Sequence, residues 1–202
     1  ELGDCIFVDV GSTTSDIIPI VSGGHKAGLT DFERLCRSEL VYAGTLRTNL
    51  AALLEKVKLE RGWCRTASEL FATTADAYLL LGKIDEGMYT CETADGAGKS
   101  KTDAMRRLAR LVCADLSEIQ EEEIYEIANQ VKRKQVFTLA EAISEVAERN
   151  GLKRIAAAGL GEFLIKEAAE RLDMEFVSIS SHWGEEISKV FPAYAAARLI
   201  EM

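Results

Sequence analysis

The sequence predicts an α/β fold in which a mainly helical block interrupts a lobe of strands. Three observations carry this. Short apolar runs separated by turn residues open the chain, and amphipathic repeats of helical spacing fill its middle. A strand, glycine turn, helix and strand succession then closes it.

The first run, Cys-Ile-Phe-Val-Asp-Val at residues 5–10, reads as a buried strand that stops at Gly11. Residues 15–21 read as a second strand, closed by Ser22-Gly23-Gly24. Pro19 lacks a ladder donor, so this strand is expected at an edge or with a bulge. A short helix is expected after Thr30, and a third strand at 39–43 ending at Gly44.

The next stretch reads as helical. Ser68 is placed to cap a helix over 69–81, with Gly82 as its stop. Thr102 is placed to cap another, with Met105, Leu108, Ala109 and Val112 as its apolar stripe. Ile124, Ile127, Ala128 and Val131 mark a third. Thr138-Leu-Ala-Glu141 has the form of a capping box opening a fourth, which ends at Asn150-Gly151. A strand at 154–158, the turn Gly159-Leu-Gly161, a helix over 162–172 and a strand at 175–179 follow. The last segment, 185–201, is helical, with Pro192 as a kink or restart.

Hydrophobic residues make up 48% of the 202, charged residues 28%, and the net charge is −9. That balance fits a globular chain and argues against a general nucleic-acid binder, which needs clustered Lys and Arg. Five cysteines at 5, 36, 64, 91 and 113, with no Cys-x-x-Cys pair and only two histidines, argue against a disulfide framework and a zinc site. A reducing, cytoplasmic setting is the expectation. No apolar run reaches the roughly 18 residues of a membrane span, and no signal peptide is visible. A small phosphorylated molecule is the expected partner, with oligomeric state left open. Because the chain starts at Glu1 immediately before a strand, it reads as a fragment or trimmed form.

Chemistry concentrates in Asp9-Val-Gly-Ser-Thr-Thr-Ser-Asp16. A strand ends in a carboxylate, Gly11 allows a sharp turn, and Ser12, Thr13 and Thr14 offer hydroxyl and amide donors to an anion. Asp9 and Asp16 are candidate ligands of a divalent cation, Mg²⁺ being the natural choice beside phosphate, and Asp9 is a candidate base. A polar hairpin turn uses the same residues. Gly159 and Gly161 bring backbone close to a nucleotide or phosphate, or simply form a strand-to-helix turn. In the helix at 69–81, Asp76 is either a catalytic or metal-supporting carboxylate or the partner of a core arginine, for which Arg47 is a candidate. Lys99, Lys101, Arg106 and Arg107 gather at a helix start and suit a diphosphate, or form a solvated face. Gly44, Thr45 and Arg47 end the third strand where loops often face a site.

Residues 7–16, 39–48, 71–78 and 157–161, taken in order, resemble the hydantoinase/oxoprolinase branch of the actin-like ATPase superfamily. The first resembles that superfamily's second phosphate motif and the last its adenosine motif. The resemblance implies a ribonuclease-H-like lobe made of 1–48 and 151–202, with 49–150 as a mainly helical insertion. The superfamily's N-terminal lobe, with its own Asp-x-Gly strand, has no counterpart here. Residues 93–115 resemble the archaeal subgroup that serves methanofuran biosynthesis. The implied reaction joins the phenol oxygen of γ-glutamyltyramine to the methylene of aminomethylfuran diphosphate and releases diphosphate. An ATP-dependent amidohydrolase or kinase, and a non-catalytic nucleotide-binding module, are the alternatives the same motifs allow; only there does ATP enter.

Overall fold

A computed structural model describes residues 2–200, which form two compact units: 2–42 with 136–200, and 43–135. The sequence reading placed these divisions at 48/49 and 150/151. The lower one falls earlier because 44–48 hydrogen-bonds to Thr74 and Gln135. The upper one falls inside a helix.

The first unit is built on a mixed sheet. Strands β1 (Cys5–Val10) and β2 (Ser15–Val21) are antiparallel, and β3 (Gly24–His25) returns along β2. Thr30 caps α1 (Asp31–Cys36), its hydroxyl accepting from the Glu33 N–H at 3.2 Å. Of the expected strand at 39–43, only β4 (Leu40–Val41) pairs, against β2.

The second unit opens with α2 (Leu50–Leu53) and a two-stranded hairpin, β5 (Lys56–Leu59) and β6 (Gly62–Arg65). The hairpin was not expected from the sequence, although Lys-Val-Lys-Leu alternates exposed and buried side chains with the period of a strand. Helix α3 covers Thr74–Leu80, not 69–81. Thr73 is its cap, because the Asp76 carboxylate turns back to accept the Thr73 N–H at 2.9 Å. Gly82 follows at φ +65°, the left-handed stop expected of it. Helix α4 (Lys101–Arg110) is capped by Ser100 rather than Thr102, since Ser100 finds an acidic partner three residues on: its hydroxyl accepts from the Asp103 N–H at 3.2 Å.

Helix α5 (Glu121–Asn150) is one helix where two were expected. Thr138 lies inside it. The buried stripe Ile124, Ile127, Ala128, Val131 continues through Gln135, Leu139, Ile143 and Val146 without a break in register, so nothing stops the helix before Gly151, at φ +65°.

The chain then completes the first sheet. β7 (Arg154–Ala158) runs parallel to β1, α6 (Glu162–Leu172) crosses over, and β8 (Glu175–Ser178) runs parallel to β7. The strand order is β3-β2-β1-β7-β8. Helix α6 packs on β1, β7 and β8, covering the face where Ile6, Val8, Ile17 and Ile155 are fully buried. Ser178 ends β8 by capping α7 (Ile179–Trp183), one residue before the expected strand end. α8 (Glu185–Lys189) and α9 (Phe191–Ile200) follow. Pro192 stands in the first turn of α9, where its missing N–H costs nothing, and so marks a restart. Residue 201 of the expected 185–201 helix lies outside the described residues.

Candidate active site

β1, β7 and β8 are parallel, so their C-terminal ends share one edge of the sheet, where open α/β sheets place ligands. Four segments lie there: 11–14, 159–161 and the two helix starts after Ser178 and Gly184.

Segment 11–14 is a tight connection closed by the Gly11 N–H donating to the Thr14 carbonyl at 2.9 Å. Gly11 does this without a left-handed φ, and a Cβ there would meet only the Thr14 carbonyl at 3.7 Å, so the turn does not require a glycine. The N–H groups of Ser12, Thr13 and Thr14 have no protein acceptor among the described residues, and the Ser12 and Thr13 hydroxyls lie 3.4 Å apart. Such a run of open donors suits an anion.

Gly159 is the strained position. It sits at φ +94°, and a Cβ there would collide with Asp9 Oδ1 and the Val10 carbonyl. The N–H groups of both glycines point into the protein: Gly159 donates to Ser188 O at 3.1 Å, and Gly161 to Val10 O at 2.9 Å. They tie the second turn to β1, so neither amide is open to phosphate. Glu162, at the start of α6, accepts from the Ser178 hydroxyl, the Ser180 hydroxyl at 2.9 Å and the Ser188 hydroxyl at 2.9 Å, fixing the same turn against α7 and α8.

Asp9 is paired in register with Asp16 across the β1–β2 ladder. Asp9 is 9% exposed. Burial first, and the Asp16 charge second, push its carboxyl up to about 6. Asp16 is more open and is paired with Arg34 at 2.5 Å, a partner from α1 that no local pattern marks. As a pair these carboxylates fit a cation such as Mg²⁺ only where phosphate oxygens and water complete its shell. No group of three or more His, Cys, Asp or Glu side chains suited to a metal occurs among the described residues.

β1 alternates: Phe7 and Asp9 face away from α6, as do Asp16, Ile18 and Ile20 on β2. Over this second face lies a cavity of about 1070 Å³, whose far wall includes His182, Trp183 and Phe191. Phe7 and Phe191 approach with ring centroids 5.4 Å apart, and Trp183 and Phe191 with theirs 6.1 Å apart. This aromatic wall was not singled out from the sequence, though the period-2 spacing of Phe7 and Asp9 was its signal.

The other expected site residues belong to the second unit. Asp76 and Arg107 are both fully buried and bound to each other, Arg107 Nε donating to Asp76 Oδ1 at 2.8 Å. The core arginine is thus Arg107, not Arg47, which is exposed. Tyr89 O–H also donates to Asp76 at 2.9 Å, and Arg107 reaches Asp95 at 3.1 Å and the Gly98 carbonyl at 3.0 Å. Burial and the Asp76 charge push the Tyr89 phenol up. Held this way, Arg107 is not exposed to a diphosphate. Lys99 donates to the Tyr89 carbonyl at 2.5 Å, Arg106 pairs with Asp103 at 2.8 Å, and Lys101 is exposed at the first turn of α4. The Gly44 carbonyl accepts from Thr74 Oγ1 at 3.0 Å and Gln135 Nε2 at 2.9 Å, so this turn is pinned. Thr45 is buried, its hydroxyl without a hydrogen-bond partner among the described residues. All five cysteines are free thiols. No helix among the described residues is long and apolar enough to cross a membrane.

The first unit is thus a mixed α/β unit with a buried carboxylate and an open hydroxyl loop at the strand ends. The hydantoinase/oxoprolinase family model matches residues 1–202, and the chain belongs to that family. It is 39% identical over 197 residues to a (4-{4-[2-(gamma-L-glutamylamino)ethyl]phenoxymethyl}furan-2-yl)methanamine synthase of Methanocaldococcus jannaschii, a match covering 98% of this chain and 59% of that protein. It is 37% identical over 202 residues to a synthase of the same name from Methanococcus vannielii, covering 98% of this chain and 91% of that protein.

Proposed function

We propose that this protein takes part in the same ether synthesis as those relatives: a transferase joining γ-glutamyltyramine to aminomethylfuran diphosphate, with release of diphosphate. The relatives' name describes the product, a phenoxymethyl ether between a γ-glutamylaminoethyl-bearing ring and a furan methanamine. The observation that carries the reading is Asp9, a buried carboxylate of raised proton affinity beside a loop of open N–H and hydroxyl donors.

Asp9 accepts the phenol proton as the phenol oxygen forms its bond to the furan methylene. The methylene–oxygen bond to diphosphate breaks, and diphosphate leaves with the electron pair. A base of pKa about 6 lies closer to a phenol than an ordinary aspartate does, which favours proton transfer. Ser12, Thr13 and Thr14 hold the departing phosphate oxygens with donors already in place, so charge forming there meets little reorganisation. A Mg²⁺ held by Asp16 and the diphosphate oxygens, with Asp9 left uncoordinated as the base, would neutralise the leaving group.

The strand order β3-β2-β1-β7-β8, antiparallel then parallel, supports a ribonuclease-H-like lobe of the actin-like superfamily. A cytoplasmic biosynthetic enzyme fits five free thiols.

The family match favours a second reading, ATP-dependent amide hydrolysis of the hydantoinase or oxoprolinase type. Incubation with γ-glutamyltyramine and aminomethylfuran diphosphate, followed by mass spectrometry and a diphosphate assay, separates the two. Ether and diphosphate in equal amounts support the first. Phosphate release from ATP driven by hydantoin or 5-oxoproline, with no ether formed, supports the second and removes the first.

A further inference from the structure

We infer that the cavity over the second face of the sheet is the subsite for the aryl acceptor, with its ring along the aromatic wall of Phe191 and Trp183 and its hydroxyl at Asp9. The inference rests on the ether-synthase reading for the identity of the acceptor, but its geometry stands alone.

The cavity is apolar along most of its length. Phe7, Ile18 and Ile20 form its floor, and Trp183 and Phe191 stand opposite. Asp9 and Asp16 sit together at the C-terminal end of β1, and Asp4 lies at the other. From Asp4 to Asp9 the strand covers about 16 Å, at roughly 3.3 Å per residue. That length suits an aromatic ring carrying an extended side chain, and about 1070 Å³ is ample for it.

Charge decides which substrate the cavity takes. Among the described residues no Lys or Arg lines it, and its ionisable groups are three aspartates, one histidine and the buried Cys5 thiol. A diphosphate lying along the trough would meet Asp4 and an apolar floor, with no unpaired Lys or Arg among the described lining residues to hold it. The open donors of Ser12–Thr14, by contrast, suit phosphate and lie at the same end of β1 as Asp9. The two substrates are thereby divided between a hydroxyl loop and an aromatic trough, and Asp9 stands where they meet. A phenol fits the junction because it presents one donor to a carboxylate and an apolar face to everything else.

Binding and turnover test this separately. Tyramine and γ-glutamyltyramine are titrated calorimetrically into the protein and into Phe191→Leu and Ile18→Trp, the second chosen to fill the trough. Phenethylamine, which lacks the hydroxyl, is the control, and melting curves establish that each variant is folded. The expected result is saturable binding of both phenols, weaker binding of phenethylamine, and about tenfold loss in Phe191→Leu. In turnover, the KM for the phenol rises by a similar factor while the KM for the furan diphosphate stays within about twofold. Phenol affinity unchanged in both folded variants, or no phenol binding at all, overturns the subsite. Phenol binding that is lost in Ile18→Trp, in a protein that makes no ether, keeps the subsite and overturns the ether-synthase reading instead.

Discussion

The Arg107 guanidinium lies 2.8 Å from the Asp76 carboxylate, and both side chains are fully removed from solvent. The pair joins α3 to α4 and, through Asp95 and the Gly98 carbonyl, holds the loop between them. Removing one member strands a buried charge, which costs about 3–5 kcal/mol, whereas replacing both with apolar groups costs far less. Arg107→Met and Asp76→Leu should therefore each lower the unfolding midpoint in urea, and the double variant should recover much of the loss. A recovered double variant that also turns over would make the pair a scaffold. Additive losses would mean that the two side chains are not coupled as the geometry requires.

Gly159 offers a sharper lesion. Its φ of +94° and the proximity of Asp9 Oδ1 and the Val10 carbonyl leave no space for a methyl group. Gly159→Ala should cost about 1–3 kcal/mol in strain and push Asp9 away from the turn. Gly11→Ala, with only the Thr14 carbonyl at 3.7 Å from the new Cβ, should change stability by less than about 1 kcal/mol. Circular-dichroism melts of the two variants compare them directly, and equal losses would contradict the difference in backbone geometry.

How far the sequence could be read follows from which interactions are local. β1, β2, α6 and the glycine stops at Gly82 and Gly151 were legible because apolar period and turn chemistry are written within a few residues. The same local rule misled at Thr138, where a valid capping box lost to a hydrophobic stripe running unbroken through 30 residues. Partnerships across the fold were not legible. Asp16 with Arg34, Asp76 with Arg107 and Phe7 with Phe191 join residues 18, 31 and 184 positions apart, and no local pattern encodes such pairings. The Asp9–Asp16 segment was found as a motif, but its neighbour, the aromatic trough, emerges only when α9 returns to the sheet.

The hydroxyl loop predicts a selective kinetic effect. Ser12→Ala and Thr13→Ala remove side-chain donors while leaving the Gly11–Thr14 turn bond at 2.9 Å intact. Each should raise the KM for the diphosphate substrate by about threefold to tenfold, the loss of one hydrogen bond to a charged oxygen. Phenol affinity, measured by calorimetry, should not move. A rise confined to the phenol would reverse the assignment of the two substrates.

Asp9 couples stability and activity to pH with opposite signs. Its carboxyl is pushed up to about 6 in the folded chain, by burial first and the Asp16 charge second, against about 3.9 in an unfolded chain. Between those values the folded state holds the extra proton. The stabilisation is full below about pH 4, falls as pH rises through the folded value, and is absent above it. Asp9→Asn cannot ionise, so it should abolish that fall and be more stable than wild type above about pH 6.5 by on the order of 2 kcal/mol. Below about pH 4 the two should converge. Urea unfolding at a series of pH values measures this. The proposed reaction uses Asp9 in its ionised form, so kcat/KM should climb through about pH 6 and level off where the stability contribution has gone. Asp9→Asn should lose about 10²–10⁴-fold in rate. An acid limb that survives in Asp9→Asn would assign the base to another group, even if the stability slope disappears as expected; loss of both together ties the proton that Asp9 holds to the proton the reaction removes.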